Sequence, residues 1–162
     1  MSKAFAVIGG DRRNIILAGE LQADGHTVYT YGFENARLAE NIIKCKDIFT
    51  AIGKSEYIIG PIPFTNDGKN VEAPFHAGKI SINKLISAMT PGKKLIAGRI
   101  DDNVRYLAAA GDVETIDILK REDMAVLNAI PTAEGAIQIA MEESEITLNG
   151  SNCHVLGYGR IG

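Results

Sequence analysis

The sequence has no tryptophan, only two cysteines, three histidines and five prolines in 162 residues. Each scarcity excludes something. Two dispersed thiols, Cys45 and Cys153, build no disulfide framework and suit a reducing cytoplasm. His26, His76 and His154 stand far apart and form no pair at metal-ligand spacing, so no metal is expected. Charge of neither sign dominates: 17 basic residues face 20 acidic ones, and no basic stripe exists to track nucleic acid. No apolar run approaches the roughly 20 residues of a membrane helix. Met1-Ser2-Lys3 runs straight into an apolar stretch without the layout of a signal peptide. No internal repeat or low-complexity segment is present.

What is present alternates between buried-strand and helical patterns. Ala4 to Gly9 is a continuous apolar run, as in a strand covered on both faces. Ile15 to Leu21 has helical spacing and stops at Gly25, and His26 to Tyr31 reads as a second strand. Glu34 to Lys46 predicts a helix with Leu38, Ile42 and Ile43 on one face, followed by a helical turn over Asp47 to Ile52. Tyr57 to Gly60, Leu95 to Gly98 and Val113 to Ile118 are strands three to five. Helices are expected over Ser81 to Met89 and from an Asp101 cap to Ala110. Glu122 to Asn128 is helical, Pro131 interrupts, and Thr132 caps a new helix to about Glu143. Cys153 to Leu156 reads as a last strand.

The expected architecture is an α/β three-layer sandwich. Its sheet is mainly parallel and flavodoxin/Rossmann-like, the flavodoxin-like order being 2-1-3-4-5, and the truncated start of a second Rossmann domain follows. Residues 1–150 form the substrate-side domain, and residues 151–162 begin a dinucleotide-binding domain.

Two kinds of motif carry chemistry. Gly157-Tyr158-Gly159-Arg160-Ile161-Gly162 is G-x-G-x-x-G after a strand, the pattern that lets backbone approach a pyrophosphate. Gly157, Gly159, Arg160, Ile161 and Gly162 are therefore cofactor-binding candidates, although a glycine-rich tail or hairpin turn has the same letters. Gly9-Gly10-Asp11-Arg12-Arg13-Asn14 fails that pattern. Asp11 stands where the second glycine belongs, and a carboxylate there repels phosphate.

Arg12 and Arg13 point instead to a carboxylate ligand, which guanidinium grips in bidentate fashion; solvated arginines at a helix start are the alternative. Order 2-1-3-4-5 puts the switch point between strands one and three, where ligands of open parallel sheets bind. There Pro61, Pro63 and Thr65 offer one wall of a cleft. Thr132 and Glu134, at an expected helix start, can hold an anion or move a proton, or simply cap the helix. The substrate-side candidates are thus Asp11, Arg12, Arg13, Pro61, Pro63, Thr65, Thr132 and Glu134. His76 is a further acid or base near the loop. The catalytic group is not identified.

Several stretches resemble the N-terminal part of the family of dipicolinate synthase A subunits. They are Val7 to Arg13, Pro61-Ile62-Pro63 with Gly68 and Ala73-Pro74-Phe75, Asn128 to Ile137, Thr147 to Ser151, and Val155 to Gly162. The resemblance implies a substrate domain followed by an NADP-binding Rossmann domain. It implies oxidation of a dihydrodipicolinate-type precursor to dipicolinate, in the cytoplasm of the mother cell of a sporulating bacterium. The implied partner is the B subunit of dipicolinate synthase, and a homo-oligomer is left open. The rival readings are a 2-hydroxy-acid or alanine dehydrogenase-like domain, and a non-catalytic flavodoxin-like binding module.

Overall fold

A computed structural model describes residues 1–162, which form two compact units, Met1–Asp117 and Ile118–Gly162. This division falls upstream of the 150/151 boundary expected from composition. The first unit runs β1 (Ala4–Ile8), α1 (Arg12–Ala23), β2 (Thr27–Tyr31), β3 (Ile43–Lys44), α2 (Ile48–Gly53) and β4 (Tyr57–Ile59). It continues with β5 (Asn70–Val71), β6 (Ile80–Ser81), α3 (Ile82–Ala88), β7 (Lys94–Ala97), α4 (Asp102–Ala110) and β8 (Glu114–Asp117).

The main sheet has six parallel strands in the order β3-β2-β1-β4-β7-β8. Without the two-residue edge strand β3, this is the expected 2-1-3-4-5 order. The chain leaves β1 toward β2 on one side and enters β4 on the other, so the switch point lies between β1 and β4. β5 and β6 form a separate antiparallel pair.

The alternation of side chains fixes the layers. Ala6, Ile8, Ile58, Leu95 and Ala97 point to one face and pack with Ile48 and Ile52 of α2, Leu85 of α3 and Val104 of α4. Val7, Val28 and Ile59 point to the other and pack with Ala18 of α1, Phe33 and Ile42. Side-chain caps start the helices where local chemistry predicts: Asp47 accepts from Thr50 N, Ser81 from Lys84 N and Asp101 from Val104 N.

The region predicted as a helix over Glu34 to Lys46 contains no helix. The Asn35 amide donates to Phe75 O, and Cys45 N donates to Thr30 O. Ile43 and Lys44 pair with Tyr29 and Thr30. Pairing with the open edge of β2 outweighs the helical spacing, and Ile42 still reaches the core.

The second unit holds a short 3₁₀ turn (Ile118–Lys120) and α5 (Glu122–Glu143). α5 runs through Pro131 without a break, so the expected helix start at Thr132 is corrected. The Thr132 hydroxyl donates to Asn128 O at 2.8 Å, a mid-helix bond one turn back rather than a cap. Cys153 to Leu156 is not a strand either: no strand of this unit offers a ladder, and a lone strand leaves its backbone groups unpaired. No helix is long and apolar enough to cross a membrane.

Candidate active site at the carboxyl edge of the sheet

β1 delivers the chain to the switch point through Gly9 (φ 62°) and Gly10 (φ 106°). A Cβ on Gly10 would lie 2.2 Å from Asn14 Oδ1, so only glycine lets the loop turn into α1 there. Gly10 N donates to Glu72 O at 2.8 Å, tying the turn to the segment that precedes β6.

Asp11 then caps α1. Its carboxylate accepts from Arg13 N at 2.9 Å and from the Arg13 guanidinium at 2.8 Å through Nη2 and 3.1 Å through Nε. The hydrogen bond from the Arg13 side chain is the main reason why the Asp11 carboxyl sits below its ordinary range; partial burial works against it. Arg13 is raised by the same bond. Arg13 Nη2 also donates to Ile62 O at 2.5 Å, and Asn14 Nδ2 to Gly60 O at 3.4 Å. The α1 start and the loop after β4 are therefore stitched together across the switch point. Arg12 is exposed beside them.

The loop itself is anchored from below. Phe64 is fully buried, and its amide donates to Gly98 O at 2.8 Å. The Ile62–Pro63 peptide is cis. Thr65 is buried, and its hydroxyl accepts from Gly68 N at 3.0 Å. Asp67 collects Asn70 N, Lys69 N and Asn70 Nδ2 at 2.7–2.8 Å, and these bonds hold its carboxyl well below the usual range. Pro61 is buried and Pro63 half-buried. The structure thus brings Asp11, Arg13, Pro61, Pro63 and Thr65 to one edge, with Thr65 engaged in its own turn.

On the β2 side, His76 Nδ1 and Glu34 Oε2 are 2.8 Å apart, and the His76 ring lies 5.4 Å from that of Tyr31. Burial acts to raise the Glu34 carboxyl. The bond to His76, backbone amides and the His76 charge outweigh it and bring the carboxyl below its ordinary value. Burial raises the Tyr31 phenol, and Glu34 and Asp47 add to the effect.

The β7–β8 side holds a cluster that none of the expected site residues includes. Asp117, at the end of β8, accepts from Arg99 N and Ile100 N at 3.1 Å each and from Arg105 Nη2 at 2.8 Å. Nothing in the letters Gly98-Arg99-Ile100-Asp101 marks this arrangement, apart from the Asp101 cap.

Thr132 and Glu134 belong to the second unit, on α5, with Thr132 exposed. So does the glycine fingerprint. Gly157 has φ 112°, and a Cβ on Gly162 would lie 2.5 Å from Gly157 O, so the segment folds back closely on itself. Arg160 pairs with Glu122 through Nε at 2.9 Å. The residues keep the glycine spacing of a dinucleotide loop, without the strand that precedes it in that fold.

The parallel sheet is of the doubly wound α/β class, and the Arg13 guanidinium is fixed at its switch point, the place where folds of this class bind small molecules. Residues 4–119 match the N-terminal domain of the dipicolinate synthase A subunit, and the chain belongs to that family. It is 28% identical over 160 residues to the dipicolinate synthase A subunit of Bacillus subtilis (strain 168), covering 98% of this chain and 54% of that protein. The crystal structure of the dipicolinate synthase A subunit from Bacillus halodurans superposes with a TM-score of 0.86 at 25% identity, over 99% of this chain and 55% of that one. The crystal structure of the Bacillus subtilis protein superposes with a TM-score of 0.82 at 26% identity, with the same coverage. The chain thus spans about half the length of the relatives it matches.

Proposed function

We propose that this chain is the substrate-side part of an enzyme that, at the length of its relatives, oxidises a dihydrodipicolinate-type precursor to dipicolinate. The observation that carries this reading is the Arg13 guanidinium, fixed at the switch point between Asp11 and Ile62 O. Family membership supplies the substrate class, since the relatives are named for dipicolinate synthesis. Arg13 Nε and Nη2 are committed to protein partners, so Nη1 is the group left to meet a substrate carboxylate. Arg12, exposed beside it, adds attraction for the dianion. Pro61, Pro63 and Thr65 give the loop a fixed shape. Thr132 and Glu134 stay candidates on their chemistry alone, a hydroxyl and a carboxylate on α5.

In this reading NADP, when bound, would supply the hydride acceptor for ring oxidation. Gly157, Gly159, Arg160, Ile161 and Gly162 contribute its glycine turn. The B subunit of dipicolinate synthase is the partner, and the cytoplasm of the mother cell is the setting.

The test is to combine the native-length protein with the B subunit, the precursor and NADP, and to follow NADPH by absorbance and dipicolinate by chromatography. Formation of both in equal amounts is expected. Precursor left unchanged, with no NADPH formed, rules the reading out.

A further inference from the structure

We propose that Arg99 is a second carboxylate-recognising residue of this site, opposite Arg13 across the Pro61–Phe64 loop. The proposal rests on the reading above, in which the ligand carries two carboxylates.

The backbone gives the first indication. Arg99 has φ 57°, in the left-handed region that glycine enters freely and arginine avoids. The other non-glycine residue there, Asp112, directly follows the C-cap Gly111 of α4, where left-handed backbone is ordinary. Arg99 has no such reason. It leaves the end of β7, two residues before the cap of α4.

The surroundings hold this conformation firmly. The Asp117 side chain is 5% exposed and binds the amides of both Arg99 and Ile100. Arg105 Nη2 bridges that carboxylate at 2.8 Å and Ile100 O at 3.0 Å. Strained residues persist where neighbours over-determine them, and they gather at ligand clamps.

The side chain completes the case. Arg13 and Arg105 are each tied to an aspartate, whereas the Arg99 side chain is exposed and makes no ion pair. The fold fixes the Arg99 backbone and leaves its guanidinium without a carboxylate partner.

Position gives it a purpose. Gly98 N donates to Pro61 O at 3.3 Å, and Phe64 N to Gly98 O at 2.8 Å. A Cβ on Gly98 would lie 2.7 Å from Ile62 Cγ1, and the carbonyl of that same Ile62 receives Arg13. Ile62 is therefore touched by both arginine-bearing segments, one on each flank of the loop. Two guanidinium groups on the two flanks of this loop, Arg13 through Nη1 and Arg99 through its whole fork, suit a flat ring with carboxylates on both sides of its nitrogen. A ligand with one carboxylate needs only one of them.

The experiment compares wild type, Arg99→Gly, Arg99→Asn and Arg99→Lys in the native-length enzyme. Calorimetry measures affinity for pyridine-2,6-dicarboxylate and pyridine-2-carboxylate, and thermal unfolding is recorded alongside. Wild type should prefer the dicarboxylate by about tenfold or more, the loss expected when a charge-assisted pair is absent. Arg99→Gly and Arg99→Asn should lose that preference with an unchanged or higher Tm, since both residues accept left-handed backbone. Arg99→Lys should recover part of it. A preference that survives in Arg99→Gly, or a wild type that shows none, overturns the proposal. The functional reading is judged separately, by NADPH formation in wild type, whatever the Arg99 variants bind.

Discussion

The Arg13 guanidinium spans the switch point, holding Asp11 Oδ2 at 2.8 Å on the α1 side and Ile62 O at 2.5 Å on the β4 side. With Asn14, this side chain holds the α1 start and the loop after β4 together across the switch point. Replacing Arg13 with Ala should lower kcat/KM of the native-length enzyme by roughly 10- to 150-fold, the equivalent of one charge-assisted bond of about 1.5–3 kcal/mol. Lys should rescue poorly, because it cannot serve a carboxylate and a carbonyl with one planar fork. Stability should change by less than about 1 kcal/mol, since the ion pair is exposed. Unaltered kcat/KM in a folded Arg13→Ala protein would make the bridge a structural contact only.

The Asp117 carboxylate has the opposite balance. It is buried and holds two backbone amides and Arg105, so its removal strands several donors at once. Asp117→Ala should cost about 3 kcal/mol in urea unfolding. A loss below about 1 kcal/mol would mean that water replaces the carboxylate without difficulty, and that the Arg99 loop is not held as described.

Gly10 is a test of the turn itself. Ala there meets the Asn14 side chain and must keep φ 106°. Gly25, with φ 83°, has open space at the same position. Gly10→Ala should therefore destabilise by more than about 2 kcal/mol, and Gly25→Ala by about 1 kcal/mol. Equal effects in thermal unfolding would show that the Asn14 contact relaxes.

These contrasts explain what the sequence discloses and what it hides. The buried run Ala6-Val7-Ile8 and the caps Asp47, Ser81 and Asp101 are legible because their causes lie within a few residues. The parallel sheet followed from the alternation of elements. The Glu34–Lys46 segment was not legible, because the partner of its Asn35 amide is Phe75, 40 positions away. The site shows the same split. Arg12 and Arg13 announce themselves beside a glycine turn, whereas Arg99 matters through a backbone angle set by Asp117, 18 positions on.

Pro131 breaks the rule used to read it. A proline inside a helix removes one amide and crowds the carbonyl four residues back. Here that carbonyl belongs to Leu127, and both residues are exposed, so water can take up the freed acceptor. Pro131→Ala should raise the helicity of α5, by up to about 3 kcal/mol of local stability. Far-UV circular dichroism and amide exchange along Glu122–Glu143 provide the measurement. Unchanged exchange rates on both sides of residue 131 would show that packing, and not the helix backbone, sets the stability of α5.

Acid should unfold the first unit through its hydrogen-bonded carboxylates. Asp11, Glu34, Asp47 and Asp67 all sit below their ordinary values, 3.8 for Asp and 4.5 for Glu. Hydrogen bonds are the leading cause for the three aspartates. For Glu34, burial opposes the fall and the bond to His76 overcomes it. A depressed folded-state pKa means that the unfolded chain binds protons first as pH drops. Their contribution is therefore complete above about pH 5 and is lost as pH falls through the ordinary carboxylate range toward the lower folded values. Asp67 accepts from four donors of the loop on which Phe64 and Thr65 are mounted, so it should govern this loop locally. Asp67→Asn keeps the shape and removes the titrating group. Its Tm should lie below that of wild type at pH 7, and the gap should narrow by pH 3. A wild-type Tm that is flat between pH 5 and pH 3 would show that these bonds form equally in the unfolded chain. A gap that stays constant with pH would assign the effect of Asp67→Asn to geometry and not to charge.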